Sequence, residues 1–147
     1  MIRAGKEKDM PDIVRMARDF WQHTQFKDEE YQPEMVEGMA KACMDQGLMC
    51  VYESAGEVHG FACGIAGPLM ANMDVISGTE MAWYVDPEHR GGKAGIGLLK
   101  ELESMAKAAG CKYWTMIFMQ SSMPAQVEGM YKKMGYNLQE TSYTKVI

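Results

Sequence analysis

Residues 83–110 read WYVDPEHRGGKAGIGLLKELESMAKAAG. The apolar run WYV stops at Pro87, which has no N–H to give to a ladder. Gly91, Gly92, Gly95 and Gly97 follow, with Arg90 and Lys93 among them. Leu98, Leu99, Leu102, Met105, Ala106 and Ala109 then recur at helical spacing, up to a helix-ending Gly110. Strand, side-chain-poor turn and helix in succession place this part of the chain in the mixed α/β class.

The rest of the chain extends that pattern. Residues 1–4 read as a short strand. Asp9 is placed to cap a helix with Pro11 and Asp12 in its first turn and Ile13, Val14, Met16, Ala17, Phe20 and Trp21 on one face. A second helix starts near Pro33, carries Met35, Val36, Met39, Ala40 and Cys43 on one face, and ends at Gly47. Residues 48–53 and 58–67 form a hairpin around Ser54-Ala55-Gly56. Residues 68–78 read as a loop, 79–85 as the fourth strand and 112–118 as the fifth. Residues 124–134 suit a helix with Val127, Met130, Tyr131 and Met134 on one face. Residues 136–147 suit one or two final strands. The expected fold is a single domain, 1–147. Its sheet is mixed and mostly antiparallel, with helices on both faces and parallel pairing in the second half.

Composition removes several function classes. No apolar run approaches the ~20 residues that span a bilayer, and the opening MIRAGKEKDM lacks an apolar signal core, so a cytoplasmic protein is expected. Cys43, Cys50, Cys63 and Cys111 form no C-x-x-C pair and no histidine completes a zinc site, so reduced thiols and no metal are expected. The chain holds 16 methionines, most of which fall at helical or strand core positions, so a soft, Met-rich core is expected rather than a copper-binding surface. The net charge is −5 with no basic patch, so nucleic acid is not the expected partner and a cationic or neutral substrate fits more easily.

A helix N-terminus leaves backbone N–H groups without partners and carries partial positive charge. Glycines let a phosphate approach those groups, and Arg90 and Lys93 add charge at the mouth. The alternative is a tight turn whose glycines serve the backbone alone. A P-loop would need Ser or Thr after its lysine, but Ala94 follows Lys93. A dinucleotide fingerprint would place this turn after the first strand, not the fourth.

The segment VDPEHRGGKAGIGLL resembles the acyl-CoA-binding motif of the GNAT N-acetyltransferases. Arg90 matches its basic first position and Gly95 its last, while Lys93 stands where a middle glycine is usual. A helical residue of negative φ does not require glycine there. PEHRGGKAG is also similar to bacteriophage-encoded members. MIRAGKEKDMPDIVRMARDF, GEVHGFACG and GMYKKMGY are similar to the family's opening, central hairpin strand and ending.

The resemblance implies acetyl-CoA as cofactor and an amine as acceptor, either a small molecule or a peptide. It implies a pyrophosphate site over Arg90, Gly91, Gly92, Lys93, Ala94 and Gly95, with Ile96 and Gly97 beside it. The pantetheine arm would lie along Tyr84 and Val85, where the fourth strand splays from the fifth. Direct attack of the amine on the thioester needs a base, an oxyanion donor such as the Val85 amide, and an acid for the leaving thiolate. Tyr131 matches the family's acid. Its alternative role is a partly buried aromatic on the helix face. Glu80 is the candidate base, with a solvated strand-edge glutamate as the alternative and His23 and Asp74 as runners-up. Trp21, Phe26, Tyr31 and Tyr84 are candidates to line an acceptor pocket. A non-catalytic acyl-CoA-binding module is the competing reading, and exposed edge strands allow a homodimer.

Overall fold

The computed structural model describes residues 1–120 and 124–147, which group into two compact units, Met1–Ile117 and Phe118–Ile147. The first contains strands β1 (Ile2–Ala4), β2 (Met49–Ser54), β3 (Glu57–Leu69), β4 (Asn72–Val85) and β5 (Cys111–Thr115). They lie side by side in chain order. The first four pair antiparallel, and β5 runs parallel to β4. A parallel pair needs a crossover, which α3 (Ala94–Ala108) supplies. Helices α1 (Met10–Trp21) and α2 (Pro33–Asp45) lie between β1 and β2 in the chain.

Alternation along the strands builds two cores. Met49, Val51, Phe61, Cys63, Ala82 and Tyr84 pack with Ile13, Met16 and Ala17 of α1 and Ala40 and Cys43 of α2. The intervening Leu48, Cys50, Ala62 and Val85 pack with Ala94, Leu98, Leu102 and Ala106 of α3. Helices therefore cover both faces, and each fully buried large side chain such as Phe61 or Leu98 contributes about 1.5–3 kcal/mol.

In the second unit, α4 (Pro124–Lys133) ends where the Tyr136 amide donates back to Tyr131 O at 3.0 Å. The Tyr131 and Tyr136 rings pack at 5.6 Å and 47°.

Four expectations are corrected. Residues 68–78 are not a loop: β3 runs to Leu69 and β4 begins at Asn72, extending the hairpin. Pro68 is tolerated because β2 pairs with β3 only as far as Met49↔Cys63, leaving that edge of β3 without a ladder. Residues 136–147 form no strand among the described residues; β-propensity makes no ladder without a partner edge. Asp9 does not cap α1 with its side chain. Its carboxylate is held by Arg3 Nη1 and Nη2 at 2.7 and 2.9 Å and by the Lys6 amide at 2.9 Å. The methionines divide: Met16 and Met49 are buried and Met10, Met39, Met44 and Met105 pack against the cores, but Met1, Met35, Met70, Met73 and Met81 are exposed.

Candidate active site

The ladder between β4 and β5 is short. It runs from Ile76↔Cys111 to Thr79↔Thr115, and the rest of β4, from Glu80 to Val85, keeps only β3 as a partner among the described residues. β4 continues past the end of β5, and that ladder end is the fork. At its base the Trp114 ring lies against the bare backbone of both β3 and β4. A Cβ at Gly78 would come within 2.5 Å of the ring, and one at Gly64 would also collide with it.

Glu80 sits where the strands separate. Its Oε2 accepts the Ile117 amide at 3.0 Å, tying β4 to the chain beyond β5. A bulge accompanies it: Cys63 pairs with Ala82 and Gly64 with Glu80, so Met81 is the extra residue. Glu80 is 5% exposed, which replaces the picture of a solvated strand-edge glutamate. Burial pushes its pKa up to about 7, against the pull of the Ile117 hydrogen bond. Near neutral pH such a carboxyl divides between its two forms, as a group that takes up and releases protons must.

Further along β4 the Asp86 amide donates to His59 O at 2.8 Å. By antiparallel alternation Tyr84 and Ala82 then point their backbone groups at β3, while the Val85 amide faces the open side of the fork. Of the pair expected to meet an extended ligand arm, only Val85 has backbone on that side. Its carbonyl accepts Arg90 Nε at 2.7 Å, and the Arg90 guanidinium lies 5.0 Å from the Tyr84 ring centre. Arg90 thus turns back on the strand end.

One 3₁₀ turn (Pro87–His89) leads to the glycine-rich segment, where Gly91 has φ +79°. Among the described residues, the amides of Gly91, Gly92, Lys93, Ala94, Gly95 and Ile96 find no acceptor in the chain. Lys93 has φ −86°, a helical value that needs no glycine. A Cβ at Gly91 or Gly92 would meet nothing within 4 Å, so that ground is open. Gly95 and Gly97 differ. A Cβ at Gly95 would stand 3.3 Å from Trp83, whose indole N–H donates to Gly95 O at 3.1 Å. A Cβ at Gly97 would collide with Ile2, and the Gly97 amide already donates to Lys93 O at 2.9 Å. Their bareness serves packing, while Gly91 and Gly92 leave exposed backbone. The segment fits a pyrophosphate through amides and charge.

The other candidates lie on separate elements. Tyr131 lies buried in the second unit. His23 is exposed in the turn after α1, and Asp74 is exposed near the start of β4. Trp21 and Phe26 stack at 6.3 Å. The Tyr31 hydroxyl donates to Val14 O at 2.8 Å and is spent on structure. Asp86, Arg15 and His59 were not foreseen; the only local signal was an aspartate beside the strand-ending proline. Among the described residues no cluster of His, Cys, Asp or Glu is placed to hold a metal ion, and no helix is long and apolar enough to cross a membrane.

Comparisons agree with this architecture. The profile of the Acetyltransferase (GNAT) family matches residues 10–136. No curated protein matches the sequence. Among solved structures, a ribosomal-protein-alanine N-acetyltransferase from Brucella melitensis superposes with a TM-score of 0.74 at 14% identity, covering 100% of this chain and 99% of that one. A glucosamine-6-phosphate N-acetyltransferase from Arabidopsis thaliana gives 0.74 at 16% identity, covering 99% and 97%. A protein described as a transcriptional regulator from Bacillus halodurans gives 0.76 at 18% identity, covering 100% and 99%. At these identities the likeness is one of fold.

Proposed function

The chain belongs to the GNAT acetyltransferase family, and we propose that it is an N-acetyltransferase whose fork and glycine-rich turn together hold acetyl-CoA for attack by an amine. Members of the family generally use acetyl-CoA and transfer its acetyl group to an amine. We read residues 1–147 as one such domain, since the family match runs across the boundary between the two units. The observation that carries the reading is the opened edge of β4, which presents the Val85 amide just ahead of a helix start with unclaimed amides.

Acetyl-CoA supplies an acetyl group activated as a thioester. The amides from Gly91 to Ile96, with Lys93 beside them, would hold the diphosphate, while Arg90 stays on the Val85 carbonyl. The Val85 amide, on the side of β4 away from β3, would be the donor for the thioester carbonyl oxygen as negative charge develops on it. Glu80, whose pKa lies near 7, takes the proton that the amine gives up, directly or through water. In the transfer a C–N bond would form as the C–S bond broke, and the family resemblance gives the Tyr131 hydroxyl the part of proton donor to the thiolate. No cysteine is asked to act as a nucleophile: Cys43, Cys50 and Cys63 are buried, and burial pushes the Cys50 thiol up to about 12.

Release of free thiol from acetyl-CoA in the presence of a panel of small amines and peptides tests this. Amine-dependent release is the expected result. Tight binding of coenzyme A with no turnover on any amine would instead favour a binding module.

A further inference from the structure

Asp86 has no part in the chemistry above, yet three elements converge on it. Arg15 of α1 reaches it with both terminal nitrogens, Nη1 to Oδ1 and Nη2 to Oδ2, each at 3.0 Å. His59 of β3 brings Nδ1 to 3.2 Å from Oδ2. The backbone adds two bonds: the Asp86 amide donates to His59 O at 2.8 Å, and Asp86 O accepts the His89 amide at 2.9 Å. The His89 ring stacks on that of His59 at 3.9 Å and 16°.

A two-pronged guanidinium–carboxylate contact fixes orientation as well as distance. Surface ion pairs contribute little, but Asp86 is 5% exposed, and a buried carboxylate stripped of its partner is costly. Burial alone would raise its pKa; the hydrogen bonds from Arg15 and His59 outweigh burial and hold the carboxyl below the ordinary range.

The position of Asp86 gives this clamp a use. Val85, with its amide toward the fork, immediately precedes it, and Pro87–His89 leads on to the open amides. The two halves of the site are joined through these few residues. We propose that Asp86, clamped by Arg15 and His59, is a positioning residue that sets the Val85 amide in register with the amides of the glycine turn, so that one ligand engages both. This rests on the reading of fork and turn as the acyl-CoA site. A ligand spanning two subsites gains from the second only if the geometry presents it correctly.

The test titrates two ligands by calorimetry: coenzyme A, and its nucleotide half with the pantetheine arm removed. The wild-type chain should bind coenzyme A at least about tenfold more tightly than the nucleotide half. Arg15→Gln and Asp86→Asn should each lose most of that preference, while affinity for the nucleotide half stays within about twofold. Arg15→Lys, which keeps the charge but loses the fork of nitrogens, should fall between. Arg15 is half-exposed, so its variants remain informative if Asp86→Asn does not fold. Equal weakening of both ligands indicates a merely structural role and overturns the proposal. So does an unchanged preference, and in both of these cases the reading of the site stands; a wild type without a preference overturns the part of that reading that includes the fork, and the clamp with it. A wild type that binds neither ligand overturns the site itself and the clamp with it.

Discussion

Replacing Glu80 with glutamine tests the buried carboxyl directly. An ordinary glutamate has a pKa of 4.5, and in the folded chain Glu80 stands at about 7. That gap is worth about 3 kcal/mol. Its sign follows from linkage: the folded state holds the proton more tightly, so the chain is favoured below pH 4.5 and loses that advantage as pH rises through about 7. Glutamine keeps the shape, and its carbonyl oxygen can still accept the Ile117 amide, but it does not ionise. Any cost of its extra N–H groups is independent of pH. The expected result is therefore a difference that changes with pH. Relative to wild type, Glu80→Gln should gain about 3 kcal/mol between pH 4.5 and pH well above 7, on the order of 10 °C in Tm. Urea unfolding of both proteins across that range measures it. In parallel, the rising limb of the wild-type rate profile near pH 7 should vanish in the variant. A stability difference that stays flat with pH would refute the claim that Glu80 titrates in a dry environment, and with it the argument for Glu80 as the base.

The glycines separate by role: Gly92→Leu should weaken coenzyme A binding about tenfold or more with little change in Tm, whereas Gly95→Leu must also displace Trp83 and should cost about 1–3 kcal/mol in a melt. Equal stability of the two variants would contradict that division. Tyr131→Phe should lower turnover while leaving coenzyme A affinity, read by calorimetry, nearly unchanged; an unaffected rate removes Tyr131 from the acid role. Ala55 has φ +51° beside Gly56 at +86° in the β2–β3 hairpin, so Ala55→Gly should stabilise the fold by up to about 1 kcal/mol in chemical denaturation.

What the sequence made legible was local. Pro87, the glycine run and Gly110 are signals read within a few residues, and the strand, turn and helix they mark are where they were expected. The 54–56 turn was visible for the same reason. The extended β3–β4 hairpin was hidden because Pro68 and the Asn-Met-Asp run read as a loop, and only the absence of β2 alongside makes the proline acceptable. The identity of Glu80 as a candidate was readable, but its burial was not. Its facing depends on the bulge at Met81 and on an amide contributed by Ile117, and no neighbouring residue signals either. Asp86 was harder still: its partner Arg15 lies on α1 with Asp12 and Asp19 at helical spacing and reads as an ordinary surface charge.

The cost of the fork explains why so much of the site gathers on one strand. A sheet gains by pairing every edge, yet among the described residues β4 pairs with β5 only as far as Thr79 and runs on through Glu80 to Val85 beyond that ladder. It also buries an acid where ionisation is penalised and, among the described residues, leaves the amides of Gly91–Ile96 without acceptors. Each feature taken singly destabilises the chain, and each would be relieved by an ordinary substitution or a longer ladder. All three lie between Glu80 and Ile96, while buried apolar clusters fill both faces of the sheet. Local disagreement with folding rules that gathers in one continuous stretch is what a binding and proton-transfer site requires. The clamp on Asp86 belongs to the same logic, because an opened strand end can align two subsites only if something else holds it still.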